Sequence, residues 1–529
     1  MRESSRAALR GTEEVERRIA EASRTGATAL DLSSLELVSL PATIAQLTEL
    51  TTLDISFNQL SSLPNWMEAL TNLTTLDMET NSLEELPNWL GQLSNLQRLD
   101  VSWNDLKSLS SSLRDLPSLA ELDVSSNRLS TLPEWLGEIA PLTVLAVEFN
   151  GLTRLPDSLR RLTQLTELHV SGNELKALPD WIAQFADLTR LYVSSNLLTC
   201  LPDWIARLPY LTTLYCGGNK LGNLPKWLGQ LSHLAELIVW GAELTNLPEE
   251  IGCLQQLTKL DVRMNALTHL PDTLGQLSSL AELRVSSNNL TCVPTWIGQL
   301  PALTSLDVGS NPLTGWPEKP GNLIRLTALD ISAVPMANLP DWIGNLLHLT
   351  DLYIDANQLT MLPDWIEHLS QLTNLQFYDN ELTGLPEWIG RLTHLTDLNA
   401  NRNRLTLLPD ALGDLPNLTS LRVSKNQLSH LPETLGRLAG LTLLHVSHNQ
   451  LLSLPAVLCQ LSSLTHLRVA YNRLTQLLAT LGQLNKLTHL DISFNQLTHL
   501  PEEIERLPHL MKLKVSGNPF AIASSEAGL

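Results

Sequence analysis

The hydrophobic residues of this chain recur with one spacing from end to end. The segments LTTLDISFNQLSSLPNWMEA from Leu50, LTNLQFYDNELTGLPEWIGR from Leu372 and LTHLDISFNQLTHLPEEIER from Leu487 align without gaps. Their shared pattern is L-x-x-L-x-[LIV]-x-x-N-x-L-x-x-L-P-x-W-[LI]-G-x-L-x-x, 23 residues long. First positions fall at Ala27, Leu50, Leu73 and every 23rd residue to Leu510, which makes 22 copies with no insertion or deletion. Alternation at L-x-[LIV] predicts a short strand with one inward and one outward face. A single strand of this kind cannot bury its leucines, so the copies must stack as a parallel sheet with strands about 4.8 Å apart. This sets aside the several separate domains that 529 residues would otherwise suggest.

Three polar or cyclic columns refine the picture. Asn holds the ninth position in 19 of 22 copies, from Asn58 to Asn518, where an inward amide can satisfy buried turn backbones. Pro follows the fourth leucine in 19 of 21 copies, Ser110 and Leu478 excepted. It fixes φ and removes a donor that this side of a coil does not need. Ten copies place Trp two residues later, from Trp66 to Trp388, and stacking between adjacent coils accounts for a position that repeats with the coil itself.

A 20–29-residue period with this leucine spacing is the signature of the leucine-rich repeat, and the chain resembles that family over about nine-tenths of its length. The L-P-x-x-[LI]-G-x-L half resembles the 23-residue subclass of Ras-suppressor-like and Scribble-like proteins, plant intracellular relatives and the repeat region of bacterial ROCO proteins. The resemblance implies an α/β solenoid: a horseshoe with a concave parallel β-sheet and a convex side of turns, 3-10 or short helical segments. Residues 27–519 form the solenoid of 22 copies, 1–26 an N-terminal segment with a capping helix, and 520–529 a short tail. The helix is expected from Thr12, as N-cap, to Ser23, with Val15, Ile19 and Ala22 as its apolar face. Phe520 and Ile522 could fold back over the last coil. Asn is missing at Leu35, Ala242 and Val334; near the last of these, Trp316, Pro320 and Pro335 also break pattern, which predicts a local kink.

Composition narrows the function. With 35 Lys and Arg against 55 Asp and Glu the formal charge is −20, which disfavours nucleic acid and anionic membranes as partners. No run of 18 apolar residues and no signal-peptide core occur, so a cytoplasmic location without a membrane span is expected. The alternative is a secreted or injected effector using the same surface on a host protein. Five scattered cysteines are no disulfide framework; Cys200 and Cys292, four copies apart, would lie about 19 Å from each other. There is no G-x-x-x-x-G-K-[ST], so the GTPase that accompanies these repeats in ROCO proteins is not expected, and no G-x-S-x-G, H-E-x-x-H or paired C-x-x-C occurs. Neither an enzyme nor a cofactor is expected. The nearest approach to a metal site is His445, His466 and His489 with Asp491, on outward strand positions.

Positions three, five, seven and eight of each copy lie on or beside the concave face, and Asp-x-Ser is the default at five and seven. Five of the six tyrosines fall in these four columns, 88 of 529 residues, where uniform scatter would put about one. Phe57, Trp103, Phe149, Trp240 and Phe494 join them. Aromatics gathered on one solvent-facing surface serve as rigid anchors. The expected function is therefore a non-enzymatic protein–protein interaction scaffold. Its anchors are Tyr192, Tyr215, Trp240, Tyr353, Tyr378 and Tyr471, with Arg263, Arg284, Asn399, Arg402, Arg422 and Arg468 supplying polar register. By resemblance, a small GTPase or a signalling complex is the implied partner. Charge is polarised along the same columns: acidic in the first six copies, basic in the last five.

Overall fold

The computed structural model describes residues 2–317, 321, 323–336 and 339–520; Pro320 and Ile522 lie outside the described residues. The chain divides into two compact units between Ala266 and Leu267. In the first, eleven three-residue strands from Ala29–Asp31 to Lys259–Asp261 form a parallel sheet. Each strand lies beside the next copy's strand in direct column alignment, Leu30 opposite Leu53 and Leu53 opposite Leu76. The second unit repeats the arrangement with eleven strands from Glu282–Arg284 to Lys512–Lys514. The central leucine of each strand points into the core, with Leu53, Leu76 and Leu99 fully buried. Return segments are five-residue 3-10 helices such as Asn88–Gln92, and the unit is thus a solenoid with strands on one side and tight turns on the other.

The proline column enters each 3-10 turn. Pro87 sits at φ −70°, ψ 150°, extended backbone in which a missing N–H costs nothing. Ser110 and Leu478 adopt nearly the same angles, so proline stiffens a path the coil takes anyway. The asparagine column does what its chemistry requires. The Asn58 amide points at the carbonyls of Leu32, Ile55 and Ser56 at 2.9–3.0 Å, and its Oδ1 accepts from the Leu37 N–H at 2.9 Å. The same set recurs at Asn219 and Asn449, so each amide ties one coil to its predecessor. The tryptophans pack between coils: an added Cβ at Gly275 would meet Trp296 at 2.8 Å, and one at Gly344 would meet Trp365 at 2.7 Å.

The ends and breaks depart from the expected pattern in instructive ways. The N-terminal helix spans Arg2–Thr25, so Thr12 lies inside it and is not its N-cap. The apolar face is where the spacing put it, with Val15, Ile19 and Ala22 buried, and Arg18 Nη1 donates to the Asp31 carbonyl at 2.9 Å to seat the helix on the first strand. In the last coil, Leu510, Leu513 and Val515 are only half-buried where their counterparts are sealed. Ala242 stands in the asparagine column and has no side-chain oxygen to accept an N–H. Here the backbone departs from the other coils: Gly222 turns to φ +64° and donates its N–H to the Ala242 carbonyl at 3.0 Å. Near Val334 the Leu313 N–H turns to the Asn311 carbonyl, and Trp316 packs on Trp342 with centroids 5.6 Å apart. The expected kink is thus a local rerouting of backbone hydrogen bonds.

Candidate interaction surface

Every copy bends the same way as it leaves its strand. The eighth position has φ between about +48° and +73° in all 22 copies, from Ser34 to Gly517. The left-handed region suits Gly and tolerates Asn and Asp, whereas bulky side chains there cost about 1–2 kcal/mol each. Four copies use Gly: Gly172, Gly218, Gly241 and Gly517. Yet Phe57, Trp103, Phe149, Tyr471 and Phe494 hold the same bend and are 45–62% exposed. Two of these rings lie over a glycine of the next coil, Phe149 on Gly172 and Phe494 on Gly517, where a Cβ would collide at 2.4–2.5 Å. Met264, 63% exposed at φ +56°, joins this column and was not singled out from sequence.

In the first unit the tyrosines form a cluster. His169, Tyr192 and Tyr215 are in direct cross-strand register, with ring centroids 4.2 and 4.8 Å apart. Tyr215 donates to Glu236 at 2.5 Å, and Glu167 accepts from Arg190 and contacts His169. Trp240 is half-buried, its indole over Gly217 and Gly218. Arg263 is clamped on the buried Asp261 at 2.7–3.1 Å, so its guanidinium is engaged within its own coil. Five aspartates of the fifth column, Asp31, Asp54, Asp77, Asp100 and Asp123, stand directly opposite one another on successive strands. Burial, then mutual repulsion, raises the carboxyls of Asp77 and Glu79 above the ordinary range; Asp123 is raised by burial first.

In the second unit the anchors are more dispersed. Tyr353 accepts from Asn374 at 3.0 Å, Arg402 lies over the Tyr378 ring at 5.4 Å, and Asn399 accepts the Asn401 N–H. Arg284 pairs with Glu282 and Arg422 with Asp397. Burial pushes the Asp355 carboxyl up to about 6, although it accepts the Tyr378 N–H. Arg468 is exposed, and Tyr471 stacks between His448 and Phe494. His466 and His489 stack at 4.3 Å while His445 sits in another column; among the described residues no group of three or more His, Cys, Asp or Glu is arranged to hold a metal. All twelve expected anchors are thus partly or fully exposed on the strand side, though each unit gathers its own set.

A stack of strand-and-turn coils with an asparagine ladder is the architecture of a leucine-rich repeat solenoid. The chain belongs to that family: the leucine-rich repeat region matches residues 44–225, 216–313 and 317–425, and the leucine rich repeat matches 416–474 and 462–520. No curated protein matches the chain significantly. Among solved structures it is similar to the ectodomain of the Arabidopsis receptor kinase HAESA in complex with an IDA peptide hormone, at 28% identity and TM-score 0.56, covering 92% of this chain and 86% of that one. It is also similar to the plant peptide hormone receptor RGFR1 in complex with RGF2, at 27% identity and TM-score 0.52, covering 91% and 84%. No helix among the described residues is long and apolar enough to cross a membrane.

Proposed function

We propose that the protein is a non-enzymatic binding module that grips a protein or peptide through its strand-side surface. The observation that carries this reading is the eighth column. Folding alone favours small residues at a left-handed bend, yet Phe57, Trp103 and Phe149 hold exposed rings there on alternate coils. Rings kept at a conformational cost and left facing solvent are retained for contact. The Tyr192–Tyr215 pair and Trp240 add rigid anchors in the same unit. The similar receptor ectodomains solved with peptide hormones support a ligand made of polypeptide.

The compartment we propose is the cytoplasm, because the five described cysteines are all free and three of them are exposed, which suits a reducing environment. A scaffold in signalling, with a small GTPase or its complex as partner, is the specific role to test first; it rests on the resemblance to Ras-suppressor-like repeats. The test replaces Tyr215 and Trp240 with alanine and compares affinity capture, read by mass spectrometry, with wild type and with a variant changed only at exposed Met361. Proteins lost from the double variant but kept by the control support the grip. Identical capture by all three would remove it.

A further inference from the structure

The last five coils enclose a depression of about 690 Å³ whose chemistry differs from the rest of the face. Its floor is the seventh column, kept shallow by Ser447, Ala470, Ser493 and Ser516. One wall is the eighth-column stack of His448, Tyr471 and Phe494, with centroids 4.2–4.3 Å apart and planes within 8–12° of parallel. The other wall is cationic. Where earlier coils carry Asp in the fifth column, these carry Arg422, His445, Arg468 and Lys514, and only Asp491 keeps the default.

Three of the cations have nothing to do inside the molecule. Lys425, Arg468 and Lys512 all line the depression and are exposed, and among the described residues none of them finds an ion pair or side-chain hydrogen bond. Arg422 is already taken by Asp397 at 3.0 Å, and Lys514 faces Asp491 at 3.6 Å. His445 adds no positive charge at neutral pH: burial, then the guanidinium groups of Arg468 and Arg422, push its imidazole down to about 4. The free charge on this wall therefore resides in Lys425, Arg468 and Lys512, which are open to an anionic partner.

The geometry also selects the kind of anion. Lys425, Arg468 and Lys512 stand on alternate coils and in columns eight, five and three, so they run diagonally over four strand spacings, about 19 Å. A lone phosphate or carboxylate cannot meet all three; an extended chain of about eight residues can, because the offset between columns lengthens the path beyond the spacing across the strands. The stacked rings spend their faces on one another and offer mainly edges to the depression, which take aliphatic groups and carboxylates rather than a stacked nucleobase.

From this placement we infer that the C-terminal depression binds an extended acidic peptide segment, its carboxylates on Lys425, Arg468 and Lys512 and its apolar side chains against the edges of Tyr471 and Phe494. The inference rests on the proposed role as a polypeptide-binding module and names what this part of the face takes. The test uses the full chain and a fluorescent, end-capped octapeptide of alternating Asp and Leu, followed by anisotropy. Its Asn-Leu counterpart, inorganic phosphate and oligouridylate serve as competitors. The expected result is saturable binding of the acidic peptide, weakened at least tenfold by Arg468→Gln and again by Lys425→Gln, with no competition from the Asn peptide. All these positions are exposed, and circular dichroism of each variant confirms that it folds. No binding, equal binding of the Asn peptide, indifference to Arg468→Gln, or displacement by millimolar phosphate or by oligouridylate would each overturn the assignment. If the acidic peptide fails while capture still depends on Tyr215 and Trp240, the assignment of this depression falls and the wider reading stands.

Discussion

At the scale of single residues, the asparagine column shows how one side chain can hold a buried backbone. Asn219 is 2% exposed; its amide reaches the carbonyls of Val193 and Cys216 at 3.0 Å and its Oδ1 takes the Leu198 N–H at 3.0 Å. Asn219→Ala would leave these groups unpaired where water cannot reach, at about 2–4 kcal/mol in urea unfolding. A loss below about 0.5 kcal/mol would mean the backbone reroutes here as it does at Gly222. This column was plain in the sequence because one chemistry serves at every copy. The left-handed bend beside it was not. Ser34, Trp103, Gly172 and Lys425 all occupy it, so no composition marks it, and only the backbone path reveals that the rings at Phe57 and Phe149 are held against their preference.

Among the elements, strands and turns were legible from alternation and from the proline column, while the start of the N-terminal helix was not. Thr12 has the chemistry of an N-cap, but the residues before it are helix-compatible and Gly11 does not end the helix, which begins at Arg2. Strand Thr75–Asp77 carries a carboxylate held between two others. Its Asp77 stands between Asp54 and Asp100 in register. Because burial and these neighbours raise its pKa, the folded protein holds this proton to higher pH than the unfolded chain does. Its contribution is therefore present on the mildly acid side and is lost as pH rises through the raised pKa. Asp77→Asn keeps Oδ1 to accept the Glu79 N–H and removes the repulsion. At pH 7.5 the variant should be more stable than wild type by roughly half a kcal/mol after allowing for solvent screening, with the gap closing near pH 4. Urea melts at the two pH values measure it, and a less stable variant at pH 7.5 would contradict the repulsion.

For the molecule as a whole, uniform coils separate two tasks. The inward leucines and asparagines make each unit, and they are nearly invariant from copy to copy, so the fold could be read almost completely from the chain. The outward columns are free to vary, and the proposed function rests on their departures from Asp-x-Ser. Which departures act together was not legible, because side chains such as Arg263 and Arg284 are tied down by Asp261 and Glu282 of their own coils, whereas Arg468 is not. The most direct measurement combines stability and binding in one variant, Phe57→Asn, Trp103→Asn and Phe149→Asn together. Asn tolerates the left-handed bend, so the account predicts stability in urea equal to wild type or higher by up to about 1 kcal/mol per site, together with loss of the proteins captured by wild type. Capture that is unchanged in this variant would contradict it.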